Sequence, residues 1–389
     1  MKILLSHRFF YPDTAPYALM LRTIGEHLST RGHDIHVFST QPSYRELREE
    51  QKVLNIKALR VKRIWVFKGE KTKPFRRIAN TIFYVVGLFF HILKTKPDIV
   101  TASTFPPVFA AWSASLATKI IGAKFIYHVQ DIHPELSKHM GGLLGWPLAA
   151  RCLQAFDNQT LRRAGAIITL SEDMAQTLRE RNIGDLQIHL IDNLTLESFD
   201  VGEEPPLSLK KAPKKKRIIF AGNVGKYQNL PVLADGISRV FDAHPDLELF
   251  FLGDGAAKSE LMKKWGEHPQ VTFAPFMPYG QAKSLIEGAD LGLVSLAPDV
   301  YRVAYPSKFR NYIQLGLRVL ALVEPDSHMA AFIRDNDLGV VPVSGSPEDV
   351  ADALSRFLTD KPDPLMPDSF QSQGEILKEW SLLIDGLPA

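Results

Sequence analysis

The chain has 389 residues, 45% of them hydrophobic and 23% charged, the composition of a soluble globular enzyme too long for one ordinary core. The single cysteine, Cys152, excludes an internal disulfide, no Cys/His cluster signals zinc, and a reducing cytoplasm fits. The net charge of +3 is uneven: residues 1–200 hold 26 Lys and Arg against 18 Asp and Glu (+8), the remainder 20 against 25 (−5). A basic first half points to an anionic partner, and nucleic acid is not the one expected.

The opening MKILLSHRFF has too short an apolar run for a secretory signal, and KILLS within it reads as a strand. A helix follows in YALMLRTIGEHLSTRG, where Leu21, Ile24 and Leu28 share a face and Gly32 ends it. After the strand DIHVFST comes KALRVKRIWVFKGEKTKPFRR, a basic loop with nine basic residues and one acidic. Ile78–Leu93 is then apolar nearly all round, yet short of the roughly 20 residues that span a bilayer. It reads either as a buried core helix or as a helix lying in a membrane interface with its cations on anionic headgroups.

DIVTAS, FIYHV, AIITL and QIHLI continue the strands of the first half. FIYHVQDIHPE runs a strand into Gln130, Asp131 and His133, and Pro134 then opens a helix with Glu135 in its first turn. Asp131 and Glu135 are readable as helix-start caps, or as carboxylates that orient sugar hydroxyls or take a proton. FDVGEEPPLSLKKAPKKKR, rich in Pro, Lys and Glu and without apolar periodicity, reads as a linker. The expected organisation is a domain over 1–198, a linker over 199–216, a second domain over 217–368, and a helix within 369–389 that can pack back on the first.

The second half repeats the alternation, with strands RIIFAG, LELFFLG, VTFAPF, DLGLVSL, RVLALV and GVVPV. Strand–helix alternation throughout predicts two doubly wound parallel sheets, with ligand sites at a crevice outside the carboxyl ends of their strands. IIFAGNVGKYQNL brings Gly222, Asn223, Gly225 and Lys226 between a strand and a helix, either a plain turn or a phosphate approach. FLGDG reads as a tight turn. VAYPSKFRNYIQLG places Ser307, as a cap, and Lys308 at a helix mouth, with Gly316 to stop the helix. That mouth is a ready anion site, or else a capped surface helix with a solvated lysine. DND at Asp335–Asp337 matches a metal-binding pattern but sits at a helix end and reads as a turn, so no metal site is expected.

Taken in order, these segments resemble the GT-B glycosyltransferases of family 4, in particular the bacterial polysaccharide enzymes related to the colanic acid fucosyltransferase and O-antigen sugar transferases. The resemblance runs through nearly the whole chain, in HVQDIHPELS, IDNLTLESF, AGNVGKYQNL and YPSKFRNYIQLG. It implies a GT-B fold of two Rossmann-like domains facing a crevice, and retaining transfer from a nucleotide diphosphate sugar to a lipid-linked saccharide without a metal. The protein would then act on the inner face of the cytoplasmic membrane, with the anionic surface as a partner. By resemblance Ser307, Lys308 and Tyr305 lie in the donor motif, Lys308 and Lys226 offset the diphosphate charge, and Gly222 and Asn223 line the phosphate turn. Asn311 would meet the ribose, backbone near Phe276 to Pro278 the base, and Glu324 the sugar. Departures are clear: two family glutamates are replaced by Val303 and Asn311, an Arg–Lys pair by Asn223 and Gln228, and a Gly–Gly by Ala15–Pro16. Two rivals stand beside this reading, a UDP-N-acetylglucosamine 2-epimerase and a non-catalytic sugar-nucleotide-binding partner in an assembly complex.

Overall fold

The computed structural model describes residues 1–13, 15–42, 58–67, 73–140, 146–195, 204–359 and 370–387. The chain forms two compact units, one of Met1–Leu196 with Gln371–Ala389, the other of Glu197–Phe370.

The first unit runs β1 (Lys2–Ser6), α1 (Pro16–Thr30), β2 (Asp34–Thr40), β3 (Arg60–Ile64), α2 (Pro74–Thr95), β4 (Ile99–Ser103), α3 (Phe109–Ile121), β5 (Lys124–His128), α4 (Glu135–Met140), α5 (Pro147–Arg163), β6 (Ala166–Thr169), α6 (Glu172–Arg179) and β7 (Ile188–Leu190). All strands are parallel, in the order β3-β2-β1-β4-β5-β6-β7. The central strands β1, β4, β5 and β6 are largely apolar and have no exposed residue, because helices cover both faces. Prolines at the first turn start α1, α2 and α5, and Ser171 caps α6 by accepting the Met174 N–H.

Two expectations need correction here. The basic segment before α2 is not all loop, since Arg60–Ile64 pairs with β2 as an edge strand. Its cations obscure the strand period, and an edge tolerates them because charge there discourages further pairing. α2 is also longer than its apolar run, at 22 residues, and by length and composition it is sufficient to cross a bilayer.

The second unit runs β8 (Lys216–Ala221), α7 (Leu230–Ser238), β9 (Leu247–Leu252), α8 (Lys258–Trp265), β10 (Val271–Ala274), α9 (Tyr279–Glu287), β11 (Leu291–Ser295), α10 (Ser307–Gln314), β12 (Val319–Leu322), α11 (His328–Asp335), β13 (Gly339–Val340) and α12 (Pro347–Thr359). Its sheet is again parallel, ordered β10-β9-β8-β11-β12-β13. The linker expectation over 199–203 lies outside the described residues; Lys216 already pairs with Leu247 in the sheet. In each sheet the strand order reverses once, between β1 and β4 and between β8 and β11, and ligands of such sheets gather at that reversal.

The chain finally returns to the first unit as α13 (Gln373–Gly386), started by a capping box in which Ser372 and Glu375 bond each other's backbone N–H. Its Ile376, Trp380 and Ile384 are buried in the same core as Ile3, Ile24 and Ile126. Ser381 bonds His27 at 2.9 Å and Asp385 pairs with Arg31 at 2.9 Å.

Candidate functional site

In the second unit the turns after β8 and β9 are joined by main-chain hydrogen bonds. The Gly222 N–H donates to the Leu252 carbonyl at 2.9 Å, and the Val224 N–H to the Asp254 carbonyl at 3.0 Å. A Cβ on Gly253 would stand 2.0 Å from the Gly222 oxygen, and one on Gly255 2.2 Å from the Val224 oxygen. FLGDG is therefore a turn, but one that shapes its neighbour. Lys258 closes it from α8, its Nζ donating to Asp254 Oδ1 at 2.8 Å and to the Gly253 carbonyl at 2.9 Å. Gly253→Ala would combine a backbone clash with a φ of +136°, so we expect a loss of about 3 kcal/mol or more in denaturant unfolding. An unchanged unfolding midpoint would refute this packing.

α10 is locked over the strand-order reversal by Tyr312, whose buried hydroxyl accepts the Ala221 N–H at 2.8 Å. Gly292 makes room for that ring, since a Cβ there would come within 2.5 Å of it. α10 begins at Ser307, with Pro306 at the capping position and no side chain capping it, so Ser307 is an exposed first-turn residue and not the expected cap. Proline brings no side-chain acceptor, and the first N–H groups of the helix stay available to an anion.

Lys308 reaches back from this helix over Gly222, its Cε 3.8 Å from where a Cβ would be, and its Nζ lies 4.1 Å from the centre of the Phe220 ring. No carboxylate pairs with it among the described residues, and burial pulls its ammonium down to about 7. Asn311 is half-buried one turn along the same face, Tyr305 is half-buried just before the helix, and Asn223 and Lys226 are exposed in the turn beside Gly222. Gln228 is turned inward and accepts the Gly225 N–H at 3.0 Å. Pro278 is exposed at the start of α9, beside Phe276, whose N–H meets Asp254 Oδ2 at 3.3 Å. After β12, Glu324 Oε1 accepts the Asp299 N–H at 2.6 Å, while Oε2 is buried without a hydrogen-bond partner among the described residues. Burial raises this carboxyl. Asp335–Asp337 is the end of α11, where Arg318 holds Asp337. Among the described residues no three His, Cys, Asp or Glu gather as metal ligands.

In the first unit Asp131 stands past the end of β5. Its N–H donates to Thr104 Oγ1 at 3.2 Å, and burial alone lifts its carboxyl to about 6. Its neighbour Gln130 exchanges two amide hydrogen bonds with Asn193, at 3.0 and 2.8 Å, and its Nε2 donates to His128 Nε2 at 2.6 Å. Burial drives His128 down to about 3, so it is neutral, and the remaining ring proton points from Nδ1 to the Tyr17 oxygen at 3.0 Å. Trp380 of α13 meets His128 edge-on at 5.2 Å. Tyr17, His128 and Asn193 escape sequence reasoning because they come from different elements, and only the parallel register brings them together.

Glu135 is placed differently from Asp131. Arg181 grips it with two hydrogen bonds, at 2.8 and 3.2 Å, and holds Asp157 at 2.6 Å and the His133 carbonyl at 3.0 Å. Tyr127 completes the cluster on Asp157 at 2.7 Å. Glu135 thus opens α4 with its carboxylate paired to a buried guanidinium. Asp131 precedes α4 by four residues, and among the described residues no helix N–H donates to its carboxylate.

The sequence pattern of the glycosyl transferase 4-like domain matches residues 17–193, and that of glycosyl transferases group 1 matches residues 215–360. Among curated proteins the chain is 23% identical over 338 residues to WcaI of Escherichia coli K12, named as a colanic acid biosynthesis glycosyl transferase, covering 81% of this chain and 82% of that one. Among solved structures, Anabaena HepE in complex with UDP superposes with a TM-score of 0.62 at 15% identity over 99% of both chains. WaaG, a glycosyltransferase involved in lipopolysaccharide biosynthesis, gives 0.63 at 15% identity over 97% of this chain and 93% of its own.

Proposed function

The chain belongs to the GT-B glycosyltransferases, and from that premise we propose that it transfers a sugar, with retention, from a nucleotide diphosphate sugar to a lipid-linked saccharide of a bacterial surface polysaccharide. The observation that carries the donor half is Lys308, a partly buried cation with no carboxylate partner among the described residues, laid over Gly222 at the uncapped start of α10. A diphosphate in that place would gain the ammonium and the free N–H groups of the first turn, and the exposed Lys226 would add positive potential. Glu324, with one oxygen lacking a partner among the described residues, is suited to accept from a sugar hydroxyl. Asn311 is the group offered to the ribose, and the main chain at Phe276–Pro278 the one offered to the base. Retention, the lipid-linked acceptor and the place at the inner face of the cytoplasmic membrane rest on the family resemblance.

The acceptor half rests on Asp131, a carboxylate held at a strand end by anchored neighbours and suited to orient an acceptor hydroxyl or take its proton. Lys226, Lys308 and the α10 N-terminus supply the charge that a divalent ion would otherwise supply, so transfer is expected to continue in the presence of chelator. Activity lost to chelator and restored only by magnesium or manganese would contradict this.

The reading is tested by adding UDP, GDP and dTDP in a thermal-shift series, then following label from the matching sugar nucleotide into a lipid extract. Stabilisation by one nucleotide and label transfer that needs the lipid fraction are expected. Turnover of donor without any acceptor would instead point to an epimerase. Binding without release of nucleotide would point to a non-catalytic partner.

A further inference from the structure

We propose that Phe105 is the platform on which the acceptor's sugar stacks, its ring meeting the C–H groups of a pyranose whose hydroxyls reach Asp131. This rests on the transferase reading above and adds the chemistry of its acceptor.

The sheet sets the place. In the first unit the strand order reverses between β1 and β4, and the chain leaving β1, β4 and β5 gathers at that reversal. His7 follows β1, Phe105 lies two residues past β4, and Asp131 three past β5. The Asp131 N–H donates to Thr104 Oγ1 at 3.2 Å, so the loops that carry the carboxylate and the ring are tied together.

The ring has a firm backing. Its centre lies 5.3 Å from that of Phe9, in a stacked arrangement, and 5.9 Å from that of His7. Both of these are buried, whereas Phe105 is 40% exposed. Arg8 stands over Phe9 at 5.5 Å, and His7 Nδ1 meets the Phe9 carbonyl at 2.7 Å. His7 packs in turn on Tyr17 at 4.4 Å, and the Tyr17 hydroxyl meets His128 at 3.0 Å. Phe105 is therefore the exposed end of a row of packed rings. Beyond it Val108, fully buried just before α3, holds φ +62° and ψ −60°, which a β-branched residue rarely adopts. Such a conformation persists only where packing enforces it, so the loop from β4 to α3 is held in one shape.

The neighbours of the ring select a sugar. A pyranose presents C–H groups on its faces and hydroxyls around its rim. The C–H groups are drawn to the electron-rich face of an aromatic ring, and the hydroxyls require polar groups at its edge. Phe105 supplies the first and Asp131 the second. A lipid chain would use the ring but leave the carboxylate facing hydrocarbon, which costs its hydration. A phosphate would meet that carboxylate as a like charge. The saccharide part of the acceptor satisfies both groups at once.

The test takes wild type, Phe105→Leu and Phe105→Tyr through two measurements, with a nucleotide thermal shift on each to show an intact fold and donor site. The first is the acceptor KM for label transfer from the matching sugar nucleotide into a lipid extract. The second is saturation-transfer NMR with the saccharide freed from that extract by mild acid. Leucine keeps apolar bulk and loses the ring face, so it should raise the acceptor KM about tenfold with kcat and donor KM unchanged. Tyrosine should stay within about threefold of wild type. Saturation should reach the sugar C–H protons in wild type and Phe105→Tyr and be lost in Phe105→Leu. A folded Phe105→Leu with unchanged acceptor KM would overturn the stacking. So would a fall in kcat alone, which would make the ring a support of the Asp131 loop. A raised KM with no saturation of the freed saccharide in wild type would also overturn it, by giving the ring to the lipid. Transfer that fails in every protein, while saturation persists and depends on Phe105, removes the transferase reading and leaves the platform standing; transfer unaltered by leucine does the reverse.

Discussion

Lys308→Ala is expected to weaken donor use by roughly tenfold to a hundredfold, since a charge-assisted contact to a diphosphate is worth about 1.5–3 kcal/mol. The fold should be retained, because among the described residues the ammonium makes no ion pair and lies over the ring of Phe220. Its pH dependence has a definite sign. Burial holds the free ammonium at about 7, so above neutrality the site is increasingly uncharged. A bound diphosphate raises it again, and donor binding near neutral pH should take up a proton. Calorimetry in buffers of different ionisation enthalpy reads that uptake directly. In wild type the apparent donor affinity should fall as pH rises past 7, and in Lys308→Ala this limb should disappear. Unaltered donor kinetics in the folded variant would return Lys308 to the status of a solvated helix lysine.

Asp131→Asn is expected to cut transfer at least a hundredfold, the usual scale for a positioned acid or base, and at the same time to stabilise the protein. Burial raises the carboxyl from 3.8 to about 6, so the folded state holds this proton more tightly than the unfolded one. Stability attached to the group is therefore present at low pH and lost as pH rises from about 4 to about 6. At pH 7 the ionised carboxylate costs the fold about 1–3 kcal/mol, which asparagine does not incur. Wild-type transfer should rise with pH through about 6, and the asparagine variant should lack that step. Nucleotide stabilisation should be alike in both. A variant that transfers normally, or one that is less stable at pH 7, would make Asp131 an ordinary structural residue.

How much of this was legible beforehand depended on whether the signal was local. The buried strands announced themselves, because a parallel strand covered on both faces must be an aliphatic run, as in IIF before Gly222 and IIT before Ser171. The edge strand Arg60–Ile64 did not, since one exposed side frees it to carry cations in any order. The helix at Lys308 was readable from Pro306 and Gly316, yet its cap was misassigned because Ser307 and Pro306 compete for one position and only backbone angles decide. Gly253 looked like a turn residue, and its second purpose, yielding space to Gly222, depends on a strand pairing remote in sequence. Asp131 and Glu135 were indistinguishable as letters. What separates them is Arg181, 46 residues beyond Glu135, and no local pattern links the two.

The return of α13 fixes an order of events during synthesis. Ile376, Trp380 and Ile384 belong to the core that also contains Ile3, Ile24 and Ile126, so the first half of the chain emerges from the ribosome with a groove where a helix should be. The second unit, whose residues are contiguous, can reach its own fold while that groove is still open to solvent. Until residues 373–386 emerge, the nascent protein would expose the apolar seat of Trp380, an obvious handle for chaperones, and His128 would lack the indole that packs against it. The first half's polar site therefore gains its full support only after the whole second unit has been made, when α13 brings Trp380 against His128.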